Sequence, residues 1–199
     1  MHLRRFMGAG LSLALVVPVL VCAQQGGGAA NAQKAFTPAP IAPADSLNAL
    51  LSNYEQEFVG LAEAMPADKY DFAPPESAGN YKGVRTFGQQ VKHVTEANYL
   101  LLGRLGVPGA VDRNTIEALK SKDDIVKALK DSFSFYRAAI NSITPENALM
   151  SVPGPPQMKL TRVSLAAYGM AHMMDHYGQL VEYLRMNGIV PPASQQGSR

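Results

Sequence analysis

Two histidines four positions apart, His172 and His176, are the residues of this sequence best suited to chemistry. They lie in a segment with helical spacing, where residues four apart share nearly the same face, about 40° from each other around the axis. Two imidazole rings placed in this way can bind one metal ion. The pair therefore predicts a metal site on one helix face, although the spacing does not specify a substrate.

A third histidine, His93, lies in another segment with helical spacing, on a stripe that includes Ala97 and Leu100. A lone histidine on an apolar helix face is more often a hydrogen-bonded core residue than a ligand. Here, however, every histidine after residue 23 belongs to the candidate set. Two of them share one helix face, and the third lies on a stripe of another helix that is expected to face the interior. Three imidazoles from two helices would fill three positions around a metal and leave others for water or substrate.

Four further residues are candidates for the same site. Asp175 and Glu96 are possible proton acceptors, but a lone carboxylate near a helix flank is also typical of a solvated or structural charge. Gln179 and Tyr168 share the helix face of the histidine pair and are candidates to orient ligands or substrate. Both interpretations of the carboxylates stay open at this point.

Other metal motifs fit less well. A zinc-protease motif has Glu directly after its first histidine, where this chain has Met173. A di-iron bundle uses Glu-x-x-His, whereas here Glu96 follows His93. Copper would suit the thioethers of Met170, Met173 and Met174, but their directions on the helix place at most Met173 beside the site. Methionine as adaptable core filler is therefore favoured.

The N-terminal segment, residues 1–23, has the pattern of a signal peptide. Two arginines precede an apolar run that ends at Val21-Cys22-Ala23, the small-residue spacing preferred by signal peptidase. The competing interpretation, a membrane anchor, is disfavoured because a span needs about 20 apolar residues. We therefore expect an exported protein, periplasmic or extracellular, that starts at Gln24. Residues 24–43, rich in Gly, Ala and Pro, predict a disordered linker.

Composition excludes several functions for this mature chain. The whole chain has 18 basic and 16 acidic residues, and Arg4 and Arg5 are the only charged residues within 1–23, so 16 of each sign remain. Balanced charge gives no attraction for nucleic acid. Cys22, the only cysteine, lies in the same segment, which excludes disulfides, thiolate ligands and cysteine nucleophiles.

Apolar residues three and four positions apart recur in four segments and predict an all-α fold, a four-helix bundle over residues 44–192. Start and stop signals place the helices at about 46–65, 86–106, 121–144 and 161–187. Thr86 and Gln89 form a capping-box pattern at the second helix. The proline-rich connection 147–160 is a candidate flap over one end of the bundle, and residues 193–199 form a polar tail.

Three blocks of sequence occur in a characteristic order and spacing. They are Tyr70-Asp71-Phe72 with Pro74; Thr86-Phe87-Gly88-Gln89-Gln90-Val91-Lys92-His93-Val94; and His172-x-x-x-His176-x-Gly178-Gln179-Leu180 followed by Leu184-Arg185-Met186-Asn187-Gly188-Ile189-Val190-Pro191-Pro192. Together they resemble the DinB family over roughly residues 46–192.

The resemblance implies a four-helix bundle in which His93, His172 and His176 match the family's metal-binding triad, usually with a divalent ion such as zinc, nickel or manganese. The wider superfamily includes thiol-dependent transferases and isomerases, and many members have no known activity. One departure is Tyr177, where the family often has Arg. Export is another, since cytosolic low-molecular-weight thiols are not an obvious cosubstrate outside the inner membrane.

Three functions are compatible with these features. The first is an exported hydrolase or transferase that uses a divalent metal, Zn, Ni, Mn or Fe, on a small-molecule substrate. The second is a non-catalytic periplasmic metal-handling or interaction module. The third is a structural role in which the histidines pack in the core. The sequence predicts no membrane span after signal cleavage and does not decide between a monomer and a homodimer.

Overall fold

Four long helices carry the fold, which a computed structural model describes over residues 38–154 and 157–195. With two short ones, the α-helices are α1 (Pro43–Ala64), α2 (Phe87–Leu102), α3 (Arg113–Glu117), α4 (Lys122–Asn141), α5 (Arg162–Met186) and α6 (Pro192–Gln195). The predicted all-α class is confirmed. The predicted signal peptide and residues 24–37 of the predicted linker lie outside the described residues. None of the described helices is long and apolar enough to cross a membrane.

The four long helices pack as a bundle in which α1 and α2 each contact both α4 and α5. Helices α1 and α2 are therefore diagonal to each other, which explains why a long connection separates them. Helices α2 and α5 run antiparallel. The Tyr183 hydroxyl donates to the backbone oxygen of Arg85 near one end (3.1 Å), and Leu102 lies against Gly169 near the other. This pairing brings the middle of α2 beside the middle of α5.

Side-chain caps fix where three of the long helices begin. The predicted capping box of α2 is present, because the Gln89 backbone N–H donates to the Thr86 hydroxyl and the Thr86 N–H donates to the Gln89 side chain. Thr161 caps α5 in the same way, and the Ser121 hydroxyl caps α4. Each cap satisfies backbone donors that have no partner within the helix.

The short elements and some boundaries differ from the sequence prediction. Helix α1 begins at Pro43, at the end of the predicted linker, because proline is tolerated at a first helical position that needs no N–H donor. Helices α3 and α6 were not predicted, since five and four residues are too few to show a helical period. Helix α2 ends at Leu102 and continues as a 3-10 turn, Gly103–Leu105.

The proline-rich connection 147–160 is anchored at the start of α5. The backbone N–H of Arg162 donates to the carbonyl of Met150 (3.0 Å), and Ser151 forms an isolated β-bridge with Thr161. At 1.5 Å per residue, Arg162 lies roughly 15 Å along α5 from His172. The anchored ends of this connection are thus distant from the histidines.

The interior of the bundle contains large apolar side chains, and one aromatic hydroxyl is paired within it. Tyr136 is fully buried and donates to the carbonyl of Ala166 on α5 (2.5 Å). Met170 and Met173 are buried in the same core, which confirms their prediction as core filler. Gly169 lies against the Tyr136 ring, so the absence of a side chain there leaves room for the Tyr136 hydroxyl to reach the backbone of α5.

We expect Gly169→Ala to destabilise the protein by about 1–3 kcal/mol, the usual cost of overpacking a core. A Cβ atom at this position would lie 2.6 Å from the Tyr136 hydroxyl oxygen and 3.3 Å from a methyl group of Leu102. Urea denaturation would measure the change. The matched control is Gly178→Ala on the same helix, where nothing lies within 4 Å. That substitution should stabilise by up to about 1 kcal/mol through helix propensity, and equal effects of the two would contradict the packing argument.

Candidate metal centre

The imidazole rings of three histidines meet between α2 and α5. His93 comes from α2, and His172 and His176 come from successive turns of α5. Ring centroids lie 5.2 Å apart for His93 and His172, 4.8 Å for His93 and His176, and 4.7 Å for His172 and His176. One nitrogen from each ring lies within 4.8 Å of the other two. With small side-chain rotations, one ion bonded at about 2.0–2.1 Å can contact all three.

A chain of hydrogen bonds leads from the surface of α5 to the buried side of His176. The Gln179 amide nitrogen donates to the Asp175 carboxylate (3.1 Å), and the Gln90 amide nitrogen donates to the Gln179 oxygen (3.0 Å). The Gln90 oxygen then lies 2.6 Å from Nδ1 of His176. We call these three glutamine and aspartate side chains, Gln90, Gln179 and Asp175, the amide relay.

The amide relay fixes the tautomer of His176. An ionised carboxylate only accepts hydrogen bonds, so Gln179 must present its NH₂ to Asp175 and its oxygen to Gln90. Gln90 is then left with its oxygen toward His176, and Nδ1 of that ring must carry the proton. The lone pair of His176 therefore lies on Nε2, the other nitrogen, as required when a histidine binds a metal and donates from its second nitrogen.

His172 contains a buried nitrogen without a protein partner. Its Nδ1 atom has no hydrogen-bond partner among the described residues. A buried polar atom without a partner costs about 1–3 kcal/mol, and a bond from this nitrogen to a cation would offset that cost. The residues present thus fit a metal ion: three imidazoles converge, one has a fixed tautomer, and another has an unpaired buried nitrogen.

Burial favours the neutral form of all three imidazoles. It lowers the pKa of His93 and of His176 to about 4, from an ordinary value of 6.5, and the charge of Arg85 adds to both shifts. Burial also lowers the pKa of His172, against the opposing charge of Asp175. Neutral imidazole is the form that binds a metal. At neutral pH each ring can therefore offer a lone pair without first losing a proton.

The two candidate carboxylates occupy different positions. Glu96, one turn after His93, has a side chain only 11% exposed and lies 3.4 Å from the Arg113 guanidinium. Burial raises its pKa, although Arg113 opposes the shift. Together with His93 it lines a cavity of about 630 Å³ and another of about 400 Å³. Asp175 is exposed on α5 and accepts from Gln179, so it belongs to the amide relay. Its role as a proton acceptor stays a prediction.

Of the two residues predicted to orient ligands or substrate, one is hydrogen-bonded near the triad and the other is exposed. Gln179 belongs to the amide relay, whereas Tyr168 is 42% exposed on α5 and forms no hydrogen bond within the described part of the chain. Its site-lining role stays a prediction. Tyr177, which stands where the family often has Arg, packs against Phe58 of α1 with ring centroids 6.3 Å apart. It therefore contacts α1 instead of the α2 face that carries His93.

Sequence reasoning missed Gln90 and Arg85. Gln90 is 3% exposed, and its position three residues before His93 puts both on one face of α2, a signal that the sequence did contain. Arg85 lies in the loop before α2 and lines three cavities, two of them with His93. No periodicity could place Arg85, because loop residues have none.

Comparison with known proteins agrees with this fold. The sequence model of the DinB superfamily matches residues 50–180, well over half of the chain and including all three histidines. The crystal structure of a DinB-like protein from Bacillus subtilis is similar, with a TM-score of 0.56 and 19% sequence identity over 72% of this chain and 92% of that one. At this identity the likeness shows the fold alone. No curated protein sequence matches the chain.

We expect Gln90→Leu to weaken zinc binding about 10- to 100-fold, the usual effect of removing the outer partner of a ligating histidine. The substitution leaves Nδ1 of His176 without its acceptor, so the ring loses its fixed tautomer. Competition with a chromogenic chelator would measure the affinity. Gln56→Leu is the control, because Gln56 is exposed on α1. Unchanged affinity in Gln90→Leu would contradict the role given to the amide relay.

Proposed function

The chain belongs to the DinB superfamily, and from this premise we propose that it is a metal-dependent enzyme with His93, His172 and His176 as ligands. One observation carries the proposal: three neutral imidazoles from two helices present nitrogens within 4.8 Å of one another. Zinc, nickel, iron and manganese are the candidate ions, and imidazole nitrogen suits the first three best.

The proposed reaction is hydrolysis or group transfer on a small-molecule substrate. A divalent ion supplies Lewis acidity at such a site. The chain itself supplies the geometry and a proton acceptor. Of the two candidate carboxylates we favour Glu96, because it lines the cavities beside His93 and burial raises its pKa, which favours a carboxylate as proton acceptor. Asp175 acts instead through the amide relay, as a positioning residue.

Access to the site favours an enzyme over the alternative, a non-catalytic metal-handling module. Structural zinc sites have a closed set of four ligands, whereas a catalytic site keeps a position open. His93 lines two cavities, of about 630 and 400 Å³. These volumes lie in the range of pockets that hold small molecules. Substrate can therefore reach the side of the triad that His93 forms.

The metal part of the proposal is tested by thermal stability. Binding to the folded state alone stabilises by about 2.7 kcal/mol when free zinc is 100 times Kd. Zinc should raise the Tm of the wild-type protein at one equivalent per chain, and His172→Ala or His176→Ala should abolish this rise. Met174→Ala on the same helix is the control and should keep it. If the histidines only pack the core, His172→Ala would lower Tm equally with and without zinc.

We also propose that the protein acts outside the cytoplasm, supported by the signal-peptide pattern of residues 1–23. Protein isolated from the periplasm or the medium should begin at Gln24 when its N-terminus is sequenced. Recovery of the protein in the cytoplasm with Met1 intact would refute export. That result would leave the metal site untouched and would make cytosolic thiols available as cosubstrates again.

A further inference from the structure

The cavity of about 630 Å³ beside His93 runs along one face of α2, and we call it the α2 groove. Its lining includes His93, Ala97 and Leu100. These positions are four and then three residues apart, so they form a continuous stripe on the helix. From His93 to Leu100 the stripe extends roughly 10 Å along the axis at 1.5 Å per residue. The groove thus begins at the triad and leads away from it.

The walls of the α2 groove beyond His93 are largely apolar. The apolar lining comes from Ala97 and Leu100 on α2 and from Ala110 and Val111 in the segment before α3. Leu100 is 68% exposed, so folding leaves this large side chain in contact with water. Burial of such apolar surface by a ligand is favourable by about 25 cal/mol per Å². The far part of the groove therefore suits an apolar group.

The end of the groove near the triad contains a cation without a protein partner. Arg85 lines the groove together with His93, and its guanidinium forms no hydrogen bond or ion pair within residues 38–154 and 157–195. Its charge also reaches the triad, since it contributes to the lowered pKa of each histidine. A free guanidinium in a cleft is a ready site for a carboxylate, phosphate or sulfonate.

The neighbouring cations are already engaged. The Arg113 guanidinium lies 2.7 Å from Glu117 and 3.4 Å from Glu96. The Lys92 ammonium donates to the backbone oxygens of Glu117 and Leu119. Three arginines, Arg85, Arg104 and Arg113, and two carboxylates, Glu96 and Asp112, line the groove, so the formal charge of its lining is positive. Of Arg85, Arg113 and Lys92, Arg85 is therefore the one that remains available to a ligand.

The ligand set of the triad also favours an anion. Three neutral imidazoles, unlike carboxylates, do not compensate the charge of a divalent ion. Any such ion held by the triad adds positive potential at the same end of the groove as Arg85. Both of these sources of positive charge lie at the triad end, whereas Ala97, Leu100, Ala110 and Val111 provide apolar lining beyond it.

We propose that the α2 groove binds a small amphipathic anion, with its acidic group at Arg85 beside the triad and its apolar body along Ala97, Leu100 and Val111. That the bound anion is the substrate rests on the proposed function, because its acidic group would lie beside the triad, where the proposed reaction occurs. Binding itself needs only the chain's own residues, so it can be measured with and without metal.

A pair of fluorescent probes that differ by one charged group tests the proposal. 1-Anilinonaphthalene-8-sulfonate carries a sulfonate, and N-phenyl-1-naphthylamine is the same molecule without it. The full mature chain, metal-free and zinc-loaded, should bind the sulfonate about tenfold more tightly, as expected for one charge-assisted hydrogen bond. Arg85→Gln should remove this preference and leave binding of the neutral probe unchanged. Circular dichroism would verify that each variant is folded.

Two further variants locate the binding mode within the groove. Arg104→Gln is the matched control, because Arg104 also lines the groove but lies eleven residues after His93. It should preserve the preference for the sulfonate. Leu100→Ser should weaken the binding of both probes, since it removes an apolar side chain from the groove.

Competition with small ligands tests the same amphipathic preference. Octanoate should displace the sulfonate probe, whereas acetate and 1-octanol should not, because acetate lacks the apolar chain and 1-octanol lacks the acidic group.

The outcomes separate this inference from the proposed function. Equal affinity for the two probes, or a preference that survives Arg85→Gln, would overturn the inference even if zinc binds at one equivalent per chain. A preference lost in Arg104→Gln but kept in Arg85→Gln would overturn it too. Conversely, an Arg85-dependent preference in a protein that binds no zinc would support the groove and refute the metal-dependent reaction.

Discussion

The arrangement of the site depends on one buried hydrogen bond between α2 and α5. In this bond Nδ1 of His176 donates to the side-chain oxygen of Gln90. Both side chains are buried, and an unpaired polar group in such a position is costly. Only one relative placement of α2 and α5 pairs these groups. That placement also brings His93, three residues after Gln90, against the two histidines of α5. The polar pair therefore specifies the register of the interface, and the register assembles the triad.

The sequence predicted those features that depend on local periodicity. The spacing of His172 and His176 placed them on one face, and apolar stripes located the four long helices. It did not predict the amide relay, because pairing Gln90 with Gln179 depends on how two distant helices rotate against each other. Tyr168 illustrates the same limit. It shares a stripe with Leu165, which is fully buried, yet it is 42% exposed, since a helical wheel does not show where a neighbouring helix covers that stripe.

The structure places the two candidate acidic residues in different surroundings. Asp175 lies at the exposed start of the amide relay, where its charge orients two amides and, through them, an imidazole. Glu96 lies in the groove, and burial raises the pKa of its carboxyl group. Two carboxylates near one site thus act on different groups, because one contacts the relay and the other contacts the cavity. Arg85, from the loop before α2, adds a positive charge beside His93 that is not paired with Glu96 or Glu117, unlike that of Arg113.

The central claim is that three imidazoles hold one ion between α2 and α5. A crystal structure of the zinc-loaded protein, with diffraction measured on both sides of the zinc absorption edge, tests it most directly. We expect one anomalous peak at about 2.0–2.2 Å from a nitrogen of His93, His172 and His176, with Nε2 as the atom used by His176. A peak elsewhere, or bonds to only one of these rings, would contradict the account.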